Sequence, residues 1–214
     1  MQLTYYNSNI FGKNFLNLDY APKFRWDIIN FLIKKISAKK YLEIGVYSGK
    51  NFERINCEYK VGVDPYVQSK ATIFKTSDDF FETNNEKFDV IFIDGLHLSD
   101  QVYRDINNSL DVLNDGGYIV CHDINPENEI TQIVPAVTGK WTGDCWKAWV
   151  KLRTERSDLL MFVVDTDCGC GVIRKGTQDI LNINNDELYT YKFLNNNRKL
   201  LLNLINPNQF LNYI

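Results

Sequence analysis

Residues 88–95 read FDVIFIDG, a run that is apolar except at Asp89 and that ends in an aspartate and a glycine. A short apolar run bounded by turn residues predicts a strand that is buried on both of its faces. Comparable runs occupy residues 41–46, 60–63 and 118–121, and a weaker one occupies residues 71–75. Strands of this kind are typical of parallel sheets that are covered by helices.

Segments with helical periodicity alternate with these strands. Residues 23–36 and 99–113 repeat apolar side chains at helical spacing, and residues 144–153 also favour a helix. Residues 159–165 and 171–174 predict a closing antiparallel pair of strands. The expected fold is therefore α/β: a Rossmann-like, doubly wound, mostly parallel sheet with helices on both faces.

The length of 214 residues predicts a single domain. Within it we expect an N-terminal helical extension at 1–37, a core at 38–176 and a helical tail at 177–214. The tail is rich in Asn, Leu and Tyr, and it could cover the active site or form a contact in a homo-oligomer.

Composition excludes several classes of partner. With 24 basic and 27 acidic side chains, the net charge of -3 argues against a dedicated nucleic-acid binder. No apolar run is long enough to suggest a membrane span, and the N-terminus does not resemble a signal peptide. The five scattered cysteines predict reduced thiols in a cytoplasmic protein. Cys168 and Cys170, with Cys145, could form half of a zinc site, but a structural role is favoured because no second pair completes the site.

A glycine-containing turn follows the first strand, in the stretch Glu43-Ile-Gly45-Val-Tyr47-Ser-Gly49, and residues 50–54 after it predict the start of a helix. Glycines at such a turn let a ligand approach the backbone. Glu43 precedes the first glycine, and Tyr47 stands where the second glycine of a dinucleotide-binding turn would be. A fixed carboxylate disfavours a pyrophosphate and favours a cationic ligand, although a turn of this kind can also serve packing alone.

Acidic residues also follow the next strands. Asp64 ends the second strand, where a carboxylate can bind both hydroxyls of a ribose. Ser77 and Asp78 follow the third strand, where an adenine edge could be bound. Ligands of open α/β sheets bind at this edge, so the set points to one nucleoside-like ligand.

Taken together, Glu43-x-Gly45-x-x-x-Gly49, Asp64, FDVIFIDG at 88–95 and NDGGYIVCHD at 114–123 resemble class I S-adenosylmethionine (SAM)-dependent methyltransferases. The nearest likeness is to the metal-dependent small-molecule O-methyltransferases of sugar and catechol type. It covers roughly residues 38–175 and implies a seven-stranded sheet whose last strand is antiparallel. The resemblance implies that Glu43 lies near the amino acid part of SAM, Gly45 and Gly49 allow close backbone approach, Asp64 holds the ribose, and Ser77 or Asp78 lies beside the adenine. The sequence departs from the family pattern at Tyr47, where many members have glycine.

Both histidines of the chain lie near strand ends. Asp94 ends one strand, and His122-Asp123 end the next. If these strands are paired, the three side chains can converge, and they are candidate ligands of Mg²⁺ or Mn²⁺. The resemblance offers His97, three residues after Asp94, the role of general base. Each histidine could instead be an ordinary loop or strand-end residue, and Asp123 could cap a turn.

The acceptor side is less defined. Residues 124–147 form a long loop containing Trp141 and Trp146, which could stack on a ring or pack against the sheet. The expected partner is a small-molecule acceptor, with a sugar or glycan intermediate favoured by analogy. The leading hypothesis is a metal-assisted O-methyltransferase. The alternatives are a nicotinamide-dependent oxidoreductase on a Rossmann sheet, and a non-catalytic domain that keeps the donor-binding fold.

Overall fold

The computed structural model describes residues 20–214 and contains a seven-stranded sheet. Residues 1–19, which include part of the predicted N-terminal extension and the segment compared with a signal peptide, lie outside the described residues. The strands are β1 Lys40–Ile44, β2 Tyr59–Val63, β3 Phe88–Ile93, β4 Leu113–Cys121, β5 Leu159–Val164, β6 Cys170–Lys175 and β7 Leu204–Ile205. The α-helices are α1 Arg25–Ile36, α2 Ser77–Thr83, α3 Ser99–Asp111, α4 Cys145–Glu155 and α5 Tyr191–Leu202.

The strand order is β2-β1-β3-β4-β6-β5-β7. Strand β6 is antiparallel to β4 and β5, whereas the other paired strands run parallel to one another. The predicted α/β fold with a mostly parallel, seven-stranded sheet is confirmed. The antiparallel strand is the sixth in the chain, because the tail adds the short β7 beside β5.

Apolar side chains fill the space on both faces of the sheet. On one face, α1 buries Ile28, Ile29 and Leu32 in the cluster that contains Phe92 and Val120. On the other face, helices α3 and α4 pack against the sheet and bury side chains such as Ile106, Trp146 and Trp149. The two faces are covered because the strands are apolar on both sides, as their sequences predict.

Three local predictions differ from the structure. Residues 71–75 do not form a strand: only an isolated bridge joins Ile73 to Val63, since Phe74 is 51% exposed and has no core to enter. The expected helix after the glycine turn is a 3-10 helix, Phe52–Arg54, which ends where Ile55 becomes extended and enters the core. The predicted helical tail contains α5 but then forms β7 and a 3-10 helix, Pro207–Asn212.

The division into extension, core and tail stays a prediction. Helix α5 packs on α4, where Trp149 Nε1 donates a hydrogen bond to the carbonyl of Leu202. None of the helices within residues 20–214 combines the length and apolar character needed to cross a membrane.

Candidate active site

A cavity of about 910 Å³ opens at the carboxyl ends of β1 to β4. Its lining includes ten of the eleven predicted site residues: Glu43, Gly45, Tyr47, Asp64, Ser77, Asp78, Asp94, His97, His122 and Asp123. Gly49 does not line it, and a Cβ there would meet the Lys70 side chain at 2.7 Å. The topology explains this convergence, because parallel neighbours bring their strand ends to the same edge of the sheet.

Gly45 allows the turn after β1 to lie against the end of β3. Its φ of +87° is in the left-handed region, and a Cβ at this position would lie 2.1 Å from the carbonyl oxygen of Asp94. Only glycine therefore fits between the two strand ends. This contact brings the cavity lining at the end of β1, which includes Glu43, close to the lining at the end of β3, which includes Asp94.

Glu43 is a buried carboxyl group at the inner end of the cavity, with 1% of its surface exposed. The Tyr41 hydroxyl donates to Glu43 Oε2 at 2.5 Å, and Asn51 Nδ2 donates to the same oxygen at 2.8 Å. Burial raises the pKa of Glu43 to about 7, although both hydrogen bonds oppose this effect. A cation bound beside Glu43 would favour its ionised form.

Asp64 directly follows β2 and already organises the turn opposite it. Its two oxygens accept backbone N–H bonds from Tyr47 at 2.7 Å and from Tyr66 at 2.8 Å. Tyr47 has a φ of 43°, and its ring stacks on Tyr66 with the centroids 6.1 Å apart. A carboxylate has lone pairs beyond these two bonds, so Asp64 can still accept a bond from a ligand.

Ser77 and Asp78 form the first turn of α2 at the other end of the cavity. Gln101, a lining residue of α3 that the sequence did not single out, lies 3.1 Å from both Ser77 Oγ and Asp78 Oδ1 through its Nε2 atom. These three side chains make this end of the cavity polar.

The four strand-end residues with acid and imidazole groups form one contact cluster. His97 Nε2 lies 3.3 Å from Asp94 Oδ1, and His97 Nδ1 lies 3.3 Å from Asp123 Oδ2. His122 Nδ1 lies 3.3 Å from Asp94 Oδ1 and 3.2 Å from Asp123 Oδ1. Each imidazole therefore bridges both carboxylates.

The charges in this cluster change its titration. Burial alone would raise the pKa of Asp94, but His122, His97 and Arg25 lower it below its usual range. Burial would lower the pKa of each histidine, yet the adjacent carboxylates raise that of His97 and raise that of His122 further. The carboxylates therefore favour the imidazolium forms.

Arg25 and Asp167 belong to the same cluster but were not predicted. Arg25 Nη1 lies 2.6 Å from Asp94 Oδ2, and Arg25 Nε lies 2.9 Å from Asp167 Oδ2. Asp167 Oδ2 also lies 3.6 Å from His122 Nε2. In the sequence Arg25 is one cation at the start of an amphipathic helix and Asp167 is a turn residue, so neither carries a signal of its own.

Two groups of potential metal ligands occur within the described part of the chain. The first is Asp94, His97 and Asp123, and the second is His122, Asp167 and Cys170. In each group the ligand atoms lie within 4.8 Å of one another. The predicted set combined Asp94 and Asp123 with His122, whereas the grouping combines them with His97. The nearby Arg25 Nη1, 3.2 Å from His122 Nδ1, makes the position at His122 less favourable for another cation.

The two tryptophans of the acceptor loop have different environments. Trp141 lines the cavity and stacks on His97, with ring centroids 5.3 Å apart. Trp146 is fully buried in α4, so the idea that it stacks on a ligand is wrong and the packing alternative holds. The suggested cysteine pair with Cys145 is not among the two ligand groups of the described residues; the Cys145 thiol instead donates to the carbonyl of Thr142 at 3.1 Å.

Comparison with known proteins places the fold. Residues 60–124 match a family model described as a methyltransferase domain, and this segment contains Asp64, Asp94, His97 and the His122-Asp123 pair. No curated protein sequence matches the chain.

Solved structures of methyltransferases are similar to about 70% of this chain. Methyltransferase PaMTH1 from Podospora anserina, bound to S-adenosylhomocysteine (SAH), is 18% identical with a TM-score of 0.53, over 71% of this chain and 78% of that chain. O-methyltransferase TomG from Streptomyces achromogenes, involved in tomaymycin synthesis and in complex with SAM, is 13% identical with a TM-score of 0.52, over 71% and 79%. An O-methyltransferase from Bacillus cereus in complex with SAH is 14% identical with a TM-score of 0.50, over 72% and 80%.

The fold is that of the SAM-dependent methyltransferases of class I. The predicted resemblance to that enzyme class is confirmed, since residues 60–124 are similar to a methyltransferase domain and the neighbours of the same fold are methyltransferases.

Proposed function

We propose that this protein is a SAM-dependent O-methyltransferase that acts on a hydroxyl group of a small molecule. The observation that carries the proposal is the cavity of about 910 Å³, in which the predicted donor residues and the histidine–aspartate cluster face the same space. One wall suits a sulfonium nucleoside, and the adjoining wall suits the activation of a hydroxyl.

The donor occupies the side of the cavity between Glu43 and Asp78. Glu43 faces the ammonium group of the donor's amino acid part, since a buried carboxylate is stabilised by a cation. Asp64 accepts hydrogen bonds from the ribose, and Ser77 and Asp78 contact the adenine. The open backbone at Gly45 lets the donor lie against the turn, while Gly49 supports that turn from outside the cavity.

His97 is the proposed proton acceptor for the hydroxyl. It lines the cavity and lies within 3.3 Å of both Asp94 and Asp123, which stabilise the imidazolium that forms. As the proton moves to His97, the acceptor oxygen attacks the methyl carbon and the carbon–sulfur bond breaks. The products are the methyl ether and SAH, whose sulfur keeps the electron pair of the broken bond.

A divalent ion fits the donor set of this cluster. Asp94, His97 and Asp123 offer two carboxylates and one imidazole, a combination that suits Mg²⁺ or Mn²⁺. When bound, such an ion lowers the pKa of the acceptor hydroxyl and orients its oxygen. In that state His97 is a ligand and does not accept the proton, so its two roles exclude one another.

Removal of metal separates these roles. If the ion assists the reaction, dialysis against excess EDTA should abolish methyl transfer, and added Mn²⁺ should restore it. Methyl transfer to the acceptor is measured with and without EDTA, and SAH binding under EDTA checks that the donor site is intact. Full activity in EDTA would eliminate the ion and leave His97 as the base.

The acceptor is proposed to be a small hydroxylated molecule, with a sugar or glycan intermediate as the favoured kind. Trp141 beside His97 offers an apolar ring at the reacting end of the cavity, where a sugar ring could pack.

None of the cavity-lining residues within the described range 20–214 comes from the tail at 177–214. The lining therefore gives no support to the idea that the tail covers the site. The role of the tail in a homo-oligomer stays a prediction.

A cytoplasmic location is supported by the five cysteines, which are free in the structure.

Donor binding tests the function directly. Calorimetry should detect binding of SAH and no binding of NAD, and Asp64→Ala should weaken the affinity for SAH about tenfold or more because a ribose contact is lost. Asp115→Ala is the matched control, since Asp115 is exposed in the β4 segment away from the cavity lining. Binding of NAD alone would reject the proposal in favour of the oxidoreductase.

A further inference from the structure

Arg25, the first residue of helix α1, places its guanidinium group in the histidine–aspartate cluster. The Arg25 guanidinium bridges Asp94 and Asp167, and Nη1 also lies 3.2 Å from His122 Nδ1. The backbone N–H of Arg25 donates to Asp167 Oδ2 at 3.0 Å. Arg25 is therefore held by its main chain and its side chain, and its charge has a defined position.

The turn that carries Asp167 is strained. Asp167, Cys168 and Gly169 follow one another with φ values of 46°, 62° and 86°. Left-handed conformations are unfavourable for residues that carry a Cβ atom. The turn is held by backbone bonds from Ile124 to Gly169 and from Asn125 to Cys168, at 3.1 Å and 2.9 Å. Strain retained beside a functional cluster indicates that the position of Asp167 matters.

Arg25 engages only one oxygen of Asp94. Its Nη1 pairs with Oδ2, while Oδ1 faces both imidazoles at 3.3 Å. The carboxylate that would bind an ion therefore has one oxygen that Arg25 does not engage, and it lies beside a permanent positive charge. Two cations that share a carboxylate repel each other, so the guanidinium opposes a second cation at this site.

We propose that Arg25 is a positioning residue that occupies one oxygen of Asp94 and weakens the binding of a divalent ion by the Asp94–His97–Asp123 group. This inference rests on the proposed ion site. Asp167 fixes the position of Arg25 by accepting hydrogen bonds from its backbone N–H and its guanidinium. The strained turn at residues 167–169 in turn fixes the position of Asp167. The affinity of the site for divalent ions is thereby set by a residue from outside the matched domain segment.

Titration of the whole protein with Mn²⁺ tests this role without any acceptor. Arg25→Gln removes the charge and should tighten Mn²⁺ binding about tenfold or more, because an opposing cation has been removed. Arg25→Lys keeps a positive charge, although an ammonium group lacks the guanidinium fork that spans Asp94 and Asp167, so its Mn²⁺ affinity should stay closer to the wild-type value than that of Arg25→Gln. Lys39→Gln removes an exposed cation that pairs with Glu58, and it controls for the change in net charge. Binding is followed by calorimetry and by the electron paramagnetic resonance signal of free Mn²⁺.

A residue that only anchors α1 would give a different result. In that case Arg25→Gln lowers the unfolding temperature and leaves the Mn²⁺ affinity unchanged or weaker, which overturns the proposal. Failure of both the wild type and Arg25→Gln to bind Mn²⁺ overturns it as well. If Arg25→Gln does not fold, the double variant Arg25→Gln/Asp167→Asn removes both charges of the pair and must show the same tighter binding. SAH binding, measured separately, reports whether the proposed methyltransferase function fails on its own.

Discussion

His97→Gln is expected to lower the rate of methyl transfer about 10²- to 10⁴-fold, the range that general acid–base groups contribute. Glutamine can keep polar contacts with Asp94 and Asp123, but it cannot take a proton from the acceptor hydroxyl. The loss should appear in kcat, because His97 lies with the acid cluster and not among the proposed donor contacts. The measurement is single-turnover methyl transfer to an identified acceptor.

Three controls accompany this variant. The affinity for SAH should be unchanged in His97→Gln, and its thermal unfolding should stay close to that of the wild type. Trp141→Phe is a matched change beside the same ring: it keeps the aromatic stack on His97 but loses the bond from Trp141 Nε1 to the carbonyl of Ile133. Wild-type kcat in His97→Gln would remove His97 from the reaction.

Glu43→Gln is expected to remove a pH dependence of stability. The folded-state pKa of Glu43 is raised to about 7 by burial, from a usual value of 4.5. The folded protein keeps this proton to a higher pH than the unfolded chain does, so the stabilisation is full below about pH 4.5 and is lost as pH rises through about 7. Because a tenfold difference in proton affinity corresponds to about 1.4 kcal/mol, the wild type should lose about 3 kcal/mol from this group.

Urea unfolding at pH 5 and pH 8 measures the difference. The free energy of unfolding of Glu43→Gln, relative to the wild type, should rise by about 3 kcal/mol between these two values. All other titrating groups are shared by the two proteins and cancel in the comparison. Parallel stability curves would contradict the raised pKa. A ligand with an ammonium group beside Glu43 should reduce the difference, since it stabilises the carboxylate.

Sequence patterns predicted the elements whose burial is uniform. The run 88–93 is β3 with the same bounds, because a strand covered on both faces is apolar over most of its length; its one polar residue, Asp89, is only partly buried near the start of the strand and accepts backbone hydrogen bonds from Lys39 and Lys40. The run 71–75 gives a weaker form of the same signal, yet it lies at the sheet edge with Phe74 exposed and pairs only through one bridge. Local pattern does not report whether a helix covers the segment.

The site residues also fall into those that the sequence could place and those that it could not. Strand ends are readable in sequence, and parallel pairing brings them to one edge, so Glu43, Asp64, Asp94 and His122 could be placed together in advance. Trp146 could not be assigned, because a tryptophan on a helix is equally compatible with a core and with a cavity wall. Its full burial decided the matter.

The sequence by itself determined the class of fold and the strand ends at which acidic and imidazole groups lie, because periodicity and burial are local properties of the chain. Only the tertiary structure decided which charged side chains form ion pairs and which side chains form a potential ligand group. Arg25 meets Asp94 and Asp167 across 69 and 142 residues. His97 groups with the two carboxylates as a potential ligand, whereas His122, which also contacts both, groups with Asp167 and Cys170. Such pairings depend on how α1 and the turn at residues 167–169 pack over the sheet, and side-chain contacts of this range leave no periodic trace in the sequence.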